Sequence, residues 1–143
     1  MELRHLKSGT DVRGTAVNPD DPKKIDLTDE AVKRISAAFV VFLAEKLGKK
    51  EEELVISVGH DSRISAERIK SDVIDALSFF GLEIKDCALA STPAMFMTTK
   101  MLGCDGAVQI TASHHPWDRN GLKFFTPDGG LSGDEIKLSL IHI

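Results

Sequence analysis

Helical segments alternate with short apolar runs along this chain, and each apolar run empties into a polar loop. That alternation is the strongest constraint on its fold. Thr28 offers an N-cap, followed by Asp29 and Glu30, whose charge suits the amino end of a helix. Val32, Ile35, Phe39, Phe42 and Leu47 then recur at helical spacing, and Gly48 stands where the helix should end. After the charged KKEEE turn, LVISVGHDSR reads as a buried strand running into a loop. Ser65 is placed to cap a second helix, with Ile69, Val73, Leu77 and Phe80 on one side and Gly81 at its end. LEIKDCALA reads as a second strand. Thr92-Pro93 opens a third helix with Pro93 at the first helical position, where a missing N–H costs nothing. GAVQITAS is a third strand, and GLKFFTP with DGG forms a strand and a turn. The polar opening from Ser8 to Lys24, rich in turn residues, reads as loop or irregular strand.

This order predicts a layered α/β/α domain around a mainly parallel mixed sheet, with Val55–Val58 and Ala107–Ile110 central. Both runs are apolar apart from the uncharged Ser57 and Gln109, as buried parallel strands are. In such sheets ligands gather at the carboxyl ends of strands, which is where GHDSR and TASHHPWDRNGLK begin.

Composition narrows the class. A length of 143 residues suits one domain with a real core. A net charge of −4 without basic clusters argues against nucleic-acid binding by phosphate neutralisation. The longest mostly apolar stretch, Ala37 to Ala44, is far short of a membrane span. The opening MELRHLKSGTDVRG has no secretory pattern. Cys87 and Cys104 form no framework, so we expect a reducing cytoplasm and two thiols serving as small buried hydrophobes. Ser132 and Glu135 have capping-box spacing, which starts a helix near Gly133. The KLSLIHI ending has no clear helical face. It reads either as an interrupted or foreign terminus over 138–143 or as a short element docked on the core.

The densest group of reactive side chains is Thr111-Ala-Ser-His-His-Pro-Trp-Asp-Arg-Asn-Gly-Leu-Lys123. A serine beside histidine suggests an activated nucleophile, because a hydroxyl needs a base to take its proton. The GxSxG elbow of serine hydrolases is absent, and His114, His115 and Asp118 match no familiar zinc spacing. A purely structural polar loop explains the stretch equally well. Ser8-Gly-Thr-Asp-Val-Arg-Gly14 adds a guanidinium between turn glycines, a device for holding an anion, and Gly59-His-Asp-Ser-Arg63 repeats the theme. These segments place Arg13, Arg63 and Lys123 near Ser113 only if their loops converge.

SGTDVRG, VGHDSRIS, STPA and above all TASHHPWDRNGLKFF resemble the first domain of the α-D-phosphohexomutases, the phosphoglucomutase/phosphomannomutase family, over about Leu3 to Lys137. The resemblance implies that residues 1–137 are the active-serine domain of a four-domain enzyme. It implies that Ser113 is the phosphoserine, that His114 and Lys123 border the reacting oxygen, and that Arg13 contacts the phosphoryl group. Asp61 and Arg63 match a segment that supports the loop. The implied reaction interconverts hexose 1-phosphate and hexose 6-phosphate through a bisphosphorylated sugar. The implied Mg²⁺ takes one ligand here, a phosphoryl oxygen on Ser113. His115 departs from the common TASHNP loop, and the DGDxDR metal loop, the sugar-selecting loop and the C-terminal phosphate loop are absent from the chain. The resemblance therefore also implies that downstream domains are missing, that the fragment is inactive alone, and that faces meant for its neighbours leave it able to pair with itself. A different class of reading is a non-catalytic phosphate-binding or interaction module built on the same loops.

Overall fold

A computed structural model describes residues 2–140. The strands are β1 (Lys7–Ser8), β2 (Asp11–Thr15), β3 (Val55–His60), β4 (Glu83–Leu89), β5 (Gly106–Ile110), β6 (Arg119–Thr126) and β7 (Gly129–Gly130). The helices are α1 (Asp29–Leu47), α2 (Ala66–Ser78), α3 (Thr92–Met101) and the short α4 (Gly133–Glu135), which runs into a π turn, Ile136–Leu140. The strands form one sheet in the order β1-β2-β6-β5-β3-β4, with β7 on β6.

The sheet is mixed, and its parallel part is smaller than the alternation suggests. Only β3 pairs in parallel, with β4 and β5 on either side; the pairs β1–β2, β2–β6, β5–β6 and β6–β7 are antiparallel. Helical crossovers α2 and α3 generate the parallel part, whereas β6 returns beside β5 after a loop with no helix in it. β2, read above only as loop or irregular strand, is regular and almost wholly buried, and it lies between β1 and β6. Its short DVRGT sequence carries no apolar run, so sheet pairing rather than local propensity makes it a strand.

The two faces of the sheet differ. Ile56 and Val58 of β3, Val108 and Ile110 of β5 and Leu122 and Phe124 of β6 join α1 and α2 in the main core. The intervening residues meet α3, where Met95, Ala107 and Phe125 form a thin second core. This alternation explains Ser57 and Gln109. The Ser57 hydroxyl meets the Thr98 hydroxyl of α3 at 2.6 Å, and Gln109 Nε2 donates to the Ala90 carbonyl at 2.8 Å.

Local signals behave largely as their chemistry dictates. Thr28 Oγ1 accepts from Ala31 N, and Gly48 closes α1 in the left-handed conformation at φ 64°. Within α1, Val32, Ile35 and Phe39 are buried, while Leu47 is half-exposed; Val40 and Leu43 complete the core stripe instead. Ser65 precedes α2 but does not cap it, because its hydroxyl accepts from Asn120 Nδ2 at 2.8 Å. Helix α2 ends at Ser78, and Gly81 lies beyond it in the turn. Ser91 caps α3, so Pro93 is its second residue rather than its first. Ser132 and Glu135 form the expected reciprocal capping box. Ile136 and Leu140 are fully buried, which docks the chain as far as Leu140; residues 141–143 lie outside the described range. Cys104 is buried but Cys87 is only partly so, which corrects the expectation of two core thiols. Burial pushes both thiols above their usual range, so neither is activated.

Candidate phosphoryl site

Ser113 is exposed, three residues beyond the carboxyl end of β5. Its backbone is left-handed at φ 51°, a conformation that costs a non-glycine residue about 1–3 kcal/mol unless its surroundings enforce it. The surroundings form a closed ring. Ser113 N donates to Thr111 Oγ1 at 3.1 Å, and the Thr111 hydroxyl donates to Asp61 Oδ2 at 2.8 Å. Asp61 is paired with Arg63 Nε at 3.5 Å, and Arg63 Nη2 returns to the Ser113 carbonyl at 2.9 Å. Arg63 also donates to the carbonyls of His115, Pro116 and Arg119. One guanidinium thus gathers the whole turn between β5 and β6.

Arg13 reaches the same hydroxyl from below. β2 pairs antiparallel with β6, with Arg13 opposite Gly121 and Val12 opposite Leu122. Asp11 and Arg13, two apart on one strand, therefore share a face with Lys123. Arg13 is 7% exposed, and its Nη2 lies 3.2 Å from Ser113 Oγ and 2.6 Å from Asp11 Oδ2. Lys123 Nζ donates to Asp11 Oδ1 at 2.9 Å. A side chain at position 121 would drive into the Val12 carbonyl and crowd Arg13 Cγ at 3.1 Å, so this close strand approach requires glycine.

Of the four residues singled out from the sequence for the chemistry, Ser113 and Arg13 are thus in direct contact. Lys123 joins them only through Asp11, and His114, exposed on the same loop, makes no hydrogen bond to Ser113. Asp11 had no assigned role, although a D-x-R pattern on a strand puts both charges on one face. Thr111 and Arg119 were likewise unassigned. An open cavity of about 590 Å³ lies over the hydroxyl, lined by Asp61, Arg63, Ile64, His115 and Trp117. Partial burial, then the repulsion of Arg13, Arg119 and Arg63, holds the His115 imidazole below its ordinary pKa. A more apolar groove of about 540 Å³ on α1, beside Val41, Phe42 and Leu138, has no such convergence of cations.

Magnesium does not fit the residues present. It demands oxygen ligands, usually carboxylates and phosphates. Around Ser113 the groups are mainly cationic, and the Asp11 and Asp61 carboxylates are already held by Arg13, Lys123 and Arg63. Among the described residues no group of three or more His, Cys, Asp or Glu side chains could hold a metal ion. What the arrangement can do is bind an oxyanion beside an exposed hydroxyl.

This α/β/α domain thus carries an exposed serine hydroxyl on a strand-end turn, backed by a buried guanidinium. Residues 5–142 match the family profile "Phosphoglucomutase/phosphomannomutase, alpha/beta/alpha domain I", and the chain belongs to that family. It is 33% identical over 141 residues to a phosphoglucosamine mutase of Pediococcus pentosaceus, covering 98% of this chain and 29% of that protein. It is 38% identical over 104 residues to a phosphoglucomutase/phosphomannomutase of Thermococcus kodakarensis, covering 73% and 22% respectively. A phosphoglucomutase/phosphomannomutase family protein of Burkholderia thailandensis has the same fold, with a TM-score of 0.75 at 23% identity, over 96% of this chain and 29% of that one. The chain thus spans under a third of the length of these relatives. Among the described residues no helix is long and apolar enough to cross a membrane.

Proposed function

We propose that this chain is the phosphoserine-bearing domain of a hexose-phosphate mutase, with Ser113 as the group that gives and recovers the phosphoryl. One observation carries the reading: the buried Arg13 guanidinium lies 3.2 Å from the exposed Ser113 hydroxyl. In the donating step a sugar hydroxyl oxygen attacks phosphorus, the Ser113 Oγ–P bond breaks, and the sugar hydroxyl proton ends on Ser113 Oγ. The product is a bisphosphorylated hexose. In the recovering step Ser113 Oγ attacks the other phosphate, the sugar O–P bond breaks, and the serine proton ends on the sugar oxygen. Such transfer asks for in-line placement and charge stabilisation more than for covalent help. Arg13 and Lys123 supply positive charge, and the Arg63 ring holds the attacking oxygen in place. Trp117, 60% exposed at the cavity edge, offers an aromatic face to the sugar. The names of the relatives support glucose, mannose or glucosamine phosphate as the hexose. No step here runs through a metal.

The test is transfer of labelled phosphate from a hexose 1,6-bisphosphate to the chain, followed by peptide mapping. Label on Ser113, lost in Ser113→Ala, is the expected result. Phosphate that binds reversibly at Arg13 but never becomes covalent would favour the non-catalytic phosphate-binding module instead.

A further inference from the structure

Among the described residues, Asp11 is the one carboxylate that touches both cations assigned to the phosphoryl group. It is 7% exposed, with Oδ2 at 2.6 Å from Arg13 Nη2 and Oδ1 at 2.9 Å from Lys123 Nζ. The nitrogen it holds is the same one that reaches Ser113 Oγ. The other terminal nitrogen of Arg13, Nη1, is buried and meets no hydrogen-bond acceptor among the described residues. A buried donor without an acceptor is costly, and a guanidinium prefers two parallel bonds to an oxyanion. Arg13 therefore has a bonding site that the protein itself leaves unfilled, beside a carboxylate that sits on the charge an incoming oxyanion would use. Asp61, the other carboxylate at the cavity, is engaged by Arg63 and Thr111 and has no contact with this pair.

We propose that Asp11 is a positioning residue and resident counter-anion. It aims Arg13 and Lys123 at Ser113 in the unphosphorylated state and competes with a phosphoryl oxyanion for the same donors. The proposal rests on the reading of Ser113 as a phosphoryl carrier and adds what sets the strength of the grip. Two cations opposed by one carboxylate leave a single net positive charge for the incoming anion. Without Asp11 the charge doubles, and the anion is held too tightly to be passed on.

The experiment measures inorganic phosphate binding to the full chain by calorimetry, for the wild type, Asp11→Asn, Asp11→Ala, Arg13→Gln and Lys123→Gln, with circular dichroism to check folding. The Asp11 variants should bind phosphate roughly five- to tenfold more tightly, and the Arg13 and Lys123 variants more weakly. A folded Asp11 variant with unchanged or weaker binding overturns the role of Asp11 while leaving the site reading intact. Wild-type phosphate binding that is absent, or unaffected by Arg13→Gln and Lys123→Gln, overturns the site reading itself, and the Asp11 proposal with it. If both Asp11 variants unfold, NMR on the wild type decides. Saturating phosphate must move the Arg13 guanidinium and Asp11 carboxylate resonances, and phosphate bound with both unmoved rules out the competition. A merely structural Asp11 would change stability without tightening phosphate binding.

Discussion

Arg63 shows how one side chain can hold a strained residue. Its guanidinium, mostly buried, donates to four backbone carbonyls between Ser113 and Arg119 and pairs with Asp61. Hydrogen bonds from charged donors contribute more than neutral ones, so Arg63→Ala should cost about 2–3 kcal/mol. Its signature should be local: amides of Ser113 and His115 should exchange much faster while those of β3 and β5 change little. Arg63→Lys should rescue poorly, because a single ammonium cannot span the fork. Uniform acceleration across the sheet, or none, would count against this assignment. His115 reports on the same cavity. Its imidazole lies below the ordinary range, so it is neutral in the fold at a pH where an unfolded chain has begun to protonate. Protonation thus works against the folded state as pH falls through the unfolded value. Phosphorylating Ser113 adds about −1.5 to −2 charges beside the guanidinium cluster and should raise the His115 pKa, read from its ring protons by NMR. A pKa that stays put or falls would place the phosphoryl group away from this cavity. At this scale Ser113, Arg13 and Arg63 were legible because each lies in a turn-rich polar motif. Asp11 was not, because its partners Arg13 and Lys123 meet it through strand pairing between distant segments.

Elements with a local signature are legible in the sequence. Helix α1 carries its cap, its stripe and its glycine stop in order, and β3 and β5 are unmistakable apolar runs. The antiparallel half of the sheet was harder to read, since β2 is polar in sequence and becomes a strand only by lying against β6. Gly121 is where that pairing is tightest. Gly121→Ala would force the β2 and β6 backbones apart at Val12 and push Arg13 from Ser113. Overpacking against backbone should cost about 1–3 kcal/mol in a denaturant melt, together with lost phosphate binding. Wild-type stability and binding would show that the strands have slack. A second test concerns the junction of α1 and α2. Burial, then the neighbouring Asp29 carboxylate, pushes the Asp72 pKa up to about 6. Asp29 is correspondingly lowered, first by its hydrogen bond with Asp72 and then by Arg68. Asp72 binds its proton more tightly when folded, so its contribution to stability is full below about 4 and is lost as pH rises through about 6. Asp29 has the opposite sign and offsets part of that loss. Asp72→Asn should therefore match the wild type near pH 4 and exceed it at pH 7 by ~1–2 kcal/mol, measured by urea melts across that range. A variant less stable at pH 7 would mean that the Arg68–Asp72 contact at 3.7 Å outweighs the burial cost.

On the scale of the whole molecule, the site is open on one side. The cavity over Ser113 has Asp61, Arg63 and His115 along its lining, but its carboxylate there is already engaged and nothing encloses a sugar. The relatives are more than three times as long as the segment they share with this chain. Phosphoryl transfer works as a unit of donor serine, charge clamp and closed pocket, and losses within such a unit are grossly non-additive. We therefore expect these 143 residues to accept label on Ser113 slowly but to show no steady interconversion of hexose 1-phosphate and 6-phosphate, even with magnesium and a sugar bisphosphate. A coupled assay on glucose 1-phosphate and mannose 1-phosphate should give indistinguishable rates for the wild type and Ser113→Ala. Turnover that depends on Ser113 and approaches about 1–10³ per second would show instead that the turn held by Arg63, with Arg13 and Lys123 behind it, suffices for the complete reaction.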